Sequence, residues 1–237
     1  TVMTSVYGVT FVGARNQIYA RLFEKLEAEG RVGGVDEEDQ VLEKELFGAA
    51  AYVARQTMDA MAQLFTSARA IMDWLATCAR LVAREGHAMS WVTPLGLPVV
   101  QPYRNEKKYV VKTMMQSVVL VDHSDALPVS LTRQRSAFPP NFVHSLDSSH
   151  MLMTAVEMER RGLTFTAVHD SYWTHARDVD QMSDCLRAQF VQLYSQPLLE
   201  ELYVSIRQRY PGVEVPPVPT RGALDISTVR SSAYFFS

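Results

Sequence analysis

Residues 142–174 set the tightest limit on what this chain can fold into. A helical pattern runs from about Phe142 to Arg161, and Gly162 is placed to stop it. Residues 163–168 then have strand composition, His169-Asp170-Ser171 supplies turn-forming types, and Tyr172, Trp173 and Thr174 resume the strand. A helix that runs at once into a tight antiparallel hairpin points to an α+β arrangement.

The rest of the chain fits that class. Residues 14–29 are expected to be helical, followed by an exposed loop at about 30–40, a surface insertion built on Gly30, Gly33, Gly34 and the acidic residues 36–39. A long helical pattern is expected over about 46–83, as core and scaffold helices, with Leu64, Ala68, Ile71, Leu75 and Leu81 near helical spacing and Gly86 as the stop. Trp91, Val92 and Thr93, then a Pro/Gly turn over residues 94–98, then residues 99–103, read as two extended segments. Val110, Val111 and residues 118–121 suggest a further strand, with residues 129–132 returning as its partner. Pro139 and Pro140 are expected to punctuate the chain before the helix at Phe142. Beyond the hairpin, Asp178 or Asp180 caps a helix with an apolar stripe of Met182, Leu186, Phe190, Leu193 and Tyr194. A proline-rich connector follows at 211–219, and Asp225 opens a short last helix.

Composition bounds the function. With 237 residues, 47% hydrophobic and 21% charged, the chain has enough apolar matter for one large or two small cores. A formal net charge of -3 does not carry the positive footprint usual in nucleic-acid binders, so the main phosphate contacts of such a protein would have to lie elsewhere on the polypeptide. Cys78 and Cys185 have no metal-ligand spacing, and a reducing compartment is the default. No apolar run approaches the roughly 18 to 20 residues needed to cross a bilayer. Residues 1–7 read as a helix already in progress, so residues are expected upstream.

Three places can carry chemistry. Asp170, at the apex of the expected hairpin, is either ordinary turn chemistry or a carboxylate held for a hard cation such as Mg2+, which takes oxygen ligands and keeps several waters. Asn141, His144, Asp147, Ser148 and Met151 fall on one helix face, which is either solvated surface or a polar face turned toward the hairpin. Tyr7-Gly8 closes the opening helix, as packing or as a place where a ligand approaches closely. Arg104, Lys107, Lys108, Lys112, Arg133 and Arg135 could neutralise phosphates or form an ordinary solvated face. Tyr234-Phe235-Phe236 reads by default as a docked apolar tail.

Taken in order, five segments resemble the single-subunit DNA-directed RNA polymerases of mitochondria, plastids and bacteriophages. They are Thr1-Val2-Met3-Thr4-Ser5-Val6-Tyr7-Gly8, Trp91-Val92-Thr93-Pro94-Leu95-Gly96-Leu97-Pro98, Phe138-Pro139-Pro140-Asn141-Phe142-Val143-His144-Ser145-Leu146-Asp147, Val168-His169-Asp170-Ser171-Tyr172-Trp173-Thr174-His175 and Tyr234-Phe235-Phe236-Ser237. The resemblance implies the C-terminal part of a right-hand polymerase fold, with residues 1–135 as fingers and adjoining sheet and 136–237 as palm, metal-binding hairpin and C-terminal tail.

It also implies roles. Asp170 matches the palm carboxylate that binds both catalytic Mg2+ ions, and His169 a neighbour that helps place the primer end. Tyr7 matches the sensor of the nucleotide sugar, Gly8 leaves room beside it, and His144 matches the helper near the 2′-hydroxyl. The family's second metal-binding Asp, and the Lys and Arg that grip the triphosphate, would lie before Thr1. Asp147 is set aside as a substitute because it belongs to the His144 helix. The chain alone is therefore expected to be inactive, with the remainder of the polymerase chain, a DNA template, an RNA transcript, ribonucleoside triphosphates and accessory initiation factors as partners, and no membrane. The implied location is the mitochondrion, with the plastid as the alternative. A related DNA polymerase is the rival enzyme, although its residue after the Asp is typically Glu rather than Ser171. A noncatalytic nucleic-acid-binding module of polymerase ancestry is the other rival.

Overall fold

The computed structural model describes residues 10–30, 37–122, 124 and 126–235. It is mostly helical with three two-stranded antiparallel hairpins, and it forms two compact units, residues 1–73 and 74–237.

In the first unit, α1 (Phe11–Ala28) is capped by Thr10, whose Oγ1 accepts from Gly13 N at 3.2 Å. It packs on α2 (Glu37–Leu64) through fully buried Ala14, Ala50 and Ala54, small residues that let two helix backbones approach. Tyr19 meets Phe47 edge-on at 6.0 Å, and the Arg15 guanidinium lies 4.2 Å from the centre of the same Phe47 ring. Glu37, Glu38 and Asp39 belong to the first turn of α2 rather than to the expected loop. Residues 31–36 lie outside the described residues.

The helical pattern expected over 46–83 is borne out as two helices: α2 ends at Leu64, and α3 spans Thr66–Arg84. The buried face of α3 is Trp74, Leu75, Cys78, Ala79, Val82 and Ala83, while Leu64 is 75% exposed. Of the expected stripe, Leu75 is buried, Ile71 and Leu81 are half-buried, and Leu64 and Ala68, which flank the break at Phe65, are exposed. Gly86 does stop α3: at φ +82 it lets Gly86 N bond Ala83 O and His87 N bond Val82 O, the paired closure that a left-handed residue permits. Burial pushes the Cys78 thiol up to about 12 and raises Cys185 as well, so both are inert core thiols.

The core of the second unit is a hairpin laid on a helix. Strands β1 (Ser90–Val92) and β2 (Pro98–Val100) pair antiparallel around Gly96, with Trp91 opposite Val99. They rest on α4, which runs from Leu131 to Arg160 straight through Pro139 and Pro140. That corrects the expected start at Phe142. An interior proline costs about 3 kcal/mol, but Phe138, Pro139, Phe142 and Leu146 are all buried on this face, and Trp91 meets the Phe138 and Phe142 rings edge-on at 5.3 and 6.3 Å. Packing there outweighs the lost donors. Fully buried Gln134 fastens the two layers: its Oε1 accepts from Met89 N, and its Nε2 donates to Gln101 O at 2.8 Å and Tyr103 O at 3.3 Å.

The strand pairing in the next stretch differs from the expected one. Strand β3 (Lys107–Lys112) pairs with β4 (Ser117–Asp122), closed by Thr113 and Gln116, whereas Val129 makes only an isolated bridge to Arg104 and Leu131 already starts α4. Val-rich runs show strand propensity but not pairing, which the four-residue turn decides.

After α4, Gly162 at φ +70 closes the helix as Gly86 does, with Gly162 N on Glu159 O and Leu163 N on Met158 O. The hairpin of β5 (Thr166–Val168) and β6 (Ser171–Trp173) follows, then a 3-10 turn (Ala176–Asp178) and α5 (Val179–Tyr194). Asp178 stands at the N-cap, but its buried carboxylate meets Arg177 instead of capping. Helix α6 (Leu198–Arg209) had no expectation attached to it; it buries Leu202 and Ile206. Asp225 opens the final 3-10 helix (Ile226–Ser231) by accepting from Ser227 N.

Helix α5 docks on α4 through His150, which is 5% exposed and donates from Nε2 to Leu186 O at 2.9 Å. Burial holds this imidazole below its ordinary value, against the opposing pull of the Leu186 carbonyl and of Asp147. The unfolded chain takes up a proton below about pH 6.5 that the folded state refuses, so the stabilisation from neutral His150 is complete above that pH and is lost as pH falls toward the folded value. Thermal melts between about pH 7.5 and about pH 5.5 will show a midpoint that drops less in His150→Gln than in the parent. Equal slopes in the two proteins would contradict this.

Candidate functional site

Two elements of the second unit deliver the residues singled out above. The β5–β6 hairpin turns on only two residues, His169 and Asp170, because Val168 pairs with Ser171. Ser171 is thus the first residue of a strand, not part of the turn. His169 sits at φ +55, and it is the only described residue other than glycine with positive φ. Tight hairpin turns demand this conformation at their first central position, and histidine tolerates it better than bulkier or branched residues do. The result is an exposed Asp170 carboxylate at the tip. Thr174 Oγ1, donating to Thr164 O at 2.6 Å, ties the base of the hairpin.

Helix α4 supplies the second set, Asn141, His144, Asp147, Ser148 and Met151, with Ser145 among them. Ser145 Oγ accepts from Trp91 Nε1 at 3.0 Å and donates to Phe142 O at 2.6 Å, so it is a structural hydroxyl. Asp147 keeps an exposed edge, yet the protein around its carboxyl is the largest influence and raises its pKa; His144 and His150 oppose the shift, and Asp170 adds to it. The Tyr172 phenol is raised likewise, by burial first and then by Asp147 and Asp170. The helix face and the hairpin tip therefore share one electrostatic neighbourhood. The helical spacing put Asp147 on one face with Asn141, His144, Ser148 and Met151 and left open whether that face is solvated or turned toward the hairpin; the influence of Asp170 on Asp147 favours the second.

Between β1–β2 and α4 lies an open pocket of about 300 Å3, walled among others by Trp91, Gln101, Tyr103, Asn141, His144 and Ser148. Gln101 is 2% exposed, and among the described residues neither its Oε1 nor its Nε2 has a hydrogen-bond partner. Leaving a buried amide unpaired costs about 1–3 kcal/mol. Nothing in the sequence marked Gln101, because an unpaired side chain is visible only once its surroundings are known.

The remaining candidates divide. Tyr7 and Gly8 lie outside the described residues. Arg104 donates to Leu127 O at 2.8 Å and Arg133 pairs with Glu106 at 2.8 Å, so both serve the fold, while Lys108, Lys112 and Arg135 are exposed. The tail docks as expected at Phe235, whose ring meets Phe190 at 4.9 Å under the Arg187 guanidinium, although Tyr234 is 90% exposed.

A family model described as DNA-dependent RNA polymerase matches residues 1–214. The chain belongs to this family. Over all 237 residues it is 52% identical to DNA-directed RNA polymerase 1, mitochondrial, of Nicotiana sylvestris and 51% identical to DNA-directed RNA polymerase 2, chloroplastic/mitochondrial, of Arabidopsis thaliana. It is 50% identical to DNA-directed RNA polymerase 3, chloroplastic, of Nicotiana sylvestris. The chain spans 22% of the length of the first two polymerases and 23% of the third. The match covers the β1–β2 hairpin, α4 and the β5–β6 turn, so the site described above is polymerase sequence throughout. Among the described residues of this family member no helix is long and apolar enough to cross a membrane, and no group of three or more His, Cys, Asp or Glu is placed to hold a metal.

Proposed function

We propose that this chain is the C-terminal part of an organellar polymerase that copies DNA into RNA, joining ribonucleoside triphosphates to a growing 3′ end. The observation that carries the proposal is the convergence of His144 and Asp147 on α4 with Asp170 on the hairpin tip, inside a sequence matched to this family. Residues 1–135 belong to the fingers and adjoining sheet, and residues 136–237 to the palm and tail, of a right-hand fold. The location is an organelle, the mitochondrion before the plastid.

The residues present suit Mg2+ at one position. Asp170 offers an exposed, hard oxygen donor at a two-residue turn, and Mg2+ is commonly held by one or two carboxylates together with substrate phosphates. The remaining ligands come from outside the described residues and from the triphosphate. When bound, Mg2+ supplies positive charge against the triphosphate and favours ionisation of the 3′-hydroxyl.

The chain's own groups do the placing. The 3′-oxygen attacks the α-phosphorus in line as pyrophosphate leaves, a reaction that depends on positioning and charge more than on covalent help from the protein. His169, fixed in its left-handed conformation, borders the carboxylate and sets the primer end. His144 offers a hydrogen bond to the ribose 2′-hydroxyl and Tyr7 senses the same sugar, with Gly8 leaving room beside it. A deoxy sugar leaves such groups unpaired, which is the basis of discrimination.

The test uses the full-length polymerase on a primed DNA template. The parent extends with ribonucleotides and discriminates against deoxynucleotides, and His144→Ala narrows the ratio of the two kcat/KM values by about tenfold. A full-length enzyme that prefers deoxynucleotides refutes the assignment in favour of a DNA polymerase, and one that binds template but never extends favours a noncatalytic module.

A further inference from the structure

Helix α6 and the β1–β2 hairpin leave an apolar groove uncovered, well apart in the sequence from the residues given catalytic roles. Val92, Pro94, Phe142, Leu146, Leu198 and Leu202 line a cleft of about 220 Å3. A second depression continues it along α6 past Val204 to Gln208, and the two share Glu201 and Ser205. Val92 and Val204 are exposed on its walls, and Leu95 and Leu97, exposed at the hairpin turn, extend the apolar surface. Soluble folds seldom leave apolar side chains grouped and uncovered in this way, and such grooves mark contact surfaces.

The groove sets the shape and the charge of its occupant. It follows one face of α6 from Leu198 to Gln208, a length of about 15 Å at the helical rise, which matches about three turns of a second helix. Ser205, small and half-buried at the middle, lets another backbone come close, and anchors at i, i+3 or i+4, and i+7 suit a surface of this form. Glu200 and Glu201 stand on the rim, and the lining holds no Lys or Arg. Among the described residues neither carboxylate is in an ion pair. Their place in the first turn of α6 suits the helix dipole and leaves the groove acidic.

We infer that this groove seats an amphipathic helix of about three turns that carries Lys or Arg opposite Glu200 and Glu201, and that the helix belongs to the same polymerase polypeptide, outside residues 1–237. The relatives give the reason for a partner in the same chain. This chain spans 22% of the length of two of them and 23% of a third, so the greater part of such a polypeptide lies outside it and packs against surfaces of this kind. The inference rests on the reading of this chain as part of a longer enzyme, and on none of the catalytic roles.

The experiment places p-benzoylphenylalanine at Val204 of the full-length polymerase and maps the photocrosslinked peptide by mass spectrometry. The expected result is a peptide of the same polypeptide, outside residues 1–237, with apolar residues at helical spacing and a Lys or Arg. Glu201→Lys then lowers the yield of that crosslink at least about tenfold, because like charges set opposite each other at an interface are strongly disfavoured. Changing the cation of the crosslinked peptide to Glu restores it. A crosslink between light and heavy copies in an isotope-mixed sample, a crosslink confined to residues 1–237, or one that forms only when a separate protein is added overturns the inference, as does none. An undiminished yield in Glu201→Lys overturns it too. Should these variants fail to fold, Val204→Cys replaces them: alkylation at least about tenfold slower in the native than in the denatured polymerase supports a covered groove, and any smaller difference refutes it. If the natural polypeptide contains nothing beyond these 237 residues, the reading as part of a longer enzyme has failed, which is a different result from a long polypeptide whose groove stays open.

Discussion

Asp170→Asn in the full-length polymerase will lower kcat for RNA extension by about 10^3-fold, the scale on which removing one preorganised charge-stabilising group acts. The substitution keeps the size and the turn conformation of the residue while removing the negative charge that a hard cation requires. Because the side chain is exposed at the tip of a two-residue turn, folding should scarcely notice: the stability change is expected within about 0.5 kcal/mol. That separation makes the experiment decisive, since a residue that serves only the hairpin would alter the melt and spare extension. Single-nucleotide extension rates beside thermal melts of the same preparations provide the measurement. Unimpaired extension by Asp170→Asn would end the case for Asp170 as a metal ligand.

Trp91→Ala produces the largest expected effect on stability, about 4 kcal/mol. The indole is 1% exposed, edge-on to Phe138 and Phe142, and its Nε1 donates to Ser145 Oγ at 3.0 Å. Truncation removes the side chain that joins β1 to α4, opens a void against two aromatic rings and strips a wall from the pocket that holds Gln101. Trp91→Phe retains most of the apolar contact and loses the Ser145 bond, so it should cost about 1–2 kcal/mol. Denaturant titrations of both variants give the comparison. A loss below about 1 kcal/mol in Trp91→Ala would show that the hairpin does not depend on this contact.

The same residues show which parts of the fold were legible. Gly86 and Gly162 announced two helix ends, since only a residue at ease with positive φ closes a helix in that way. The Pro/Gly turn at 94–98 and the short hairpin around Asp170 were likewise local events, written in neighbouring residues. Pro139 and Pro140 misled because their effect is local while the packing that overrides it comes from Trp91, more than forty residues earlier in the chain. The valine runs misled for a related reason: composition announces a strand but does not choose its partner, and β3 took β4 across a four-residue turn rather than residues 129–132.

The site divides along the same line. His144, His169 and Asp170 could be named as candidates because the ordered motifs around them are specific, and residue order survives without coordinates. The sequence offered a helix face turned toward the hairpin only as one of two alternatives, and it could not show the influence of Asp170 on Asp147 or the unpaired burial of Gln101, since each depends on how separate segments pack. By itself the sequence determined the family, the α+β class and the turns that begin and end elements, all of which rest on backbone preferences spanning a few residues. Tertiary structure alone decided how far α4 extends through its prolines, which strands pair, and which polar groups are buried, because burial and electrostatic fields are sums over neighbours that the chain brings together only on folding.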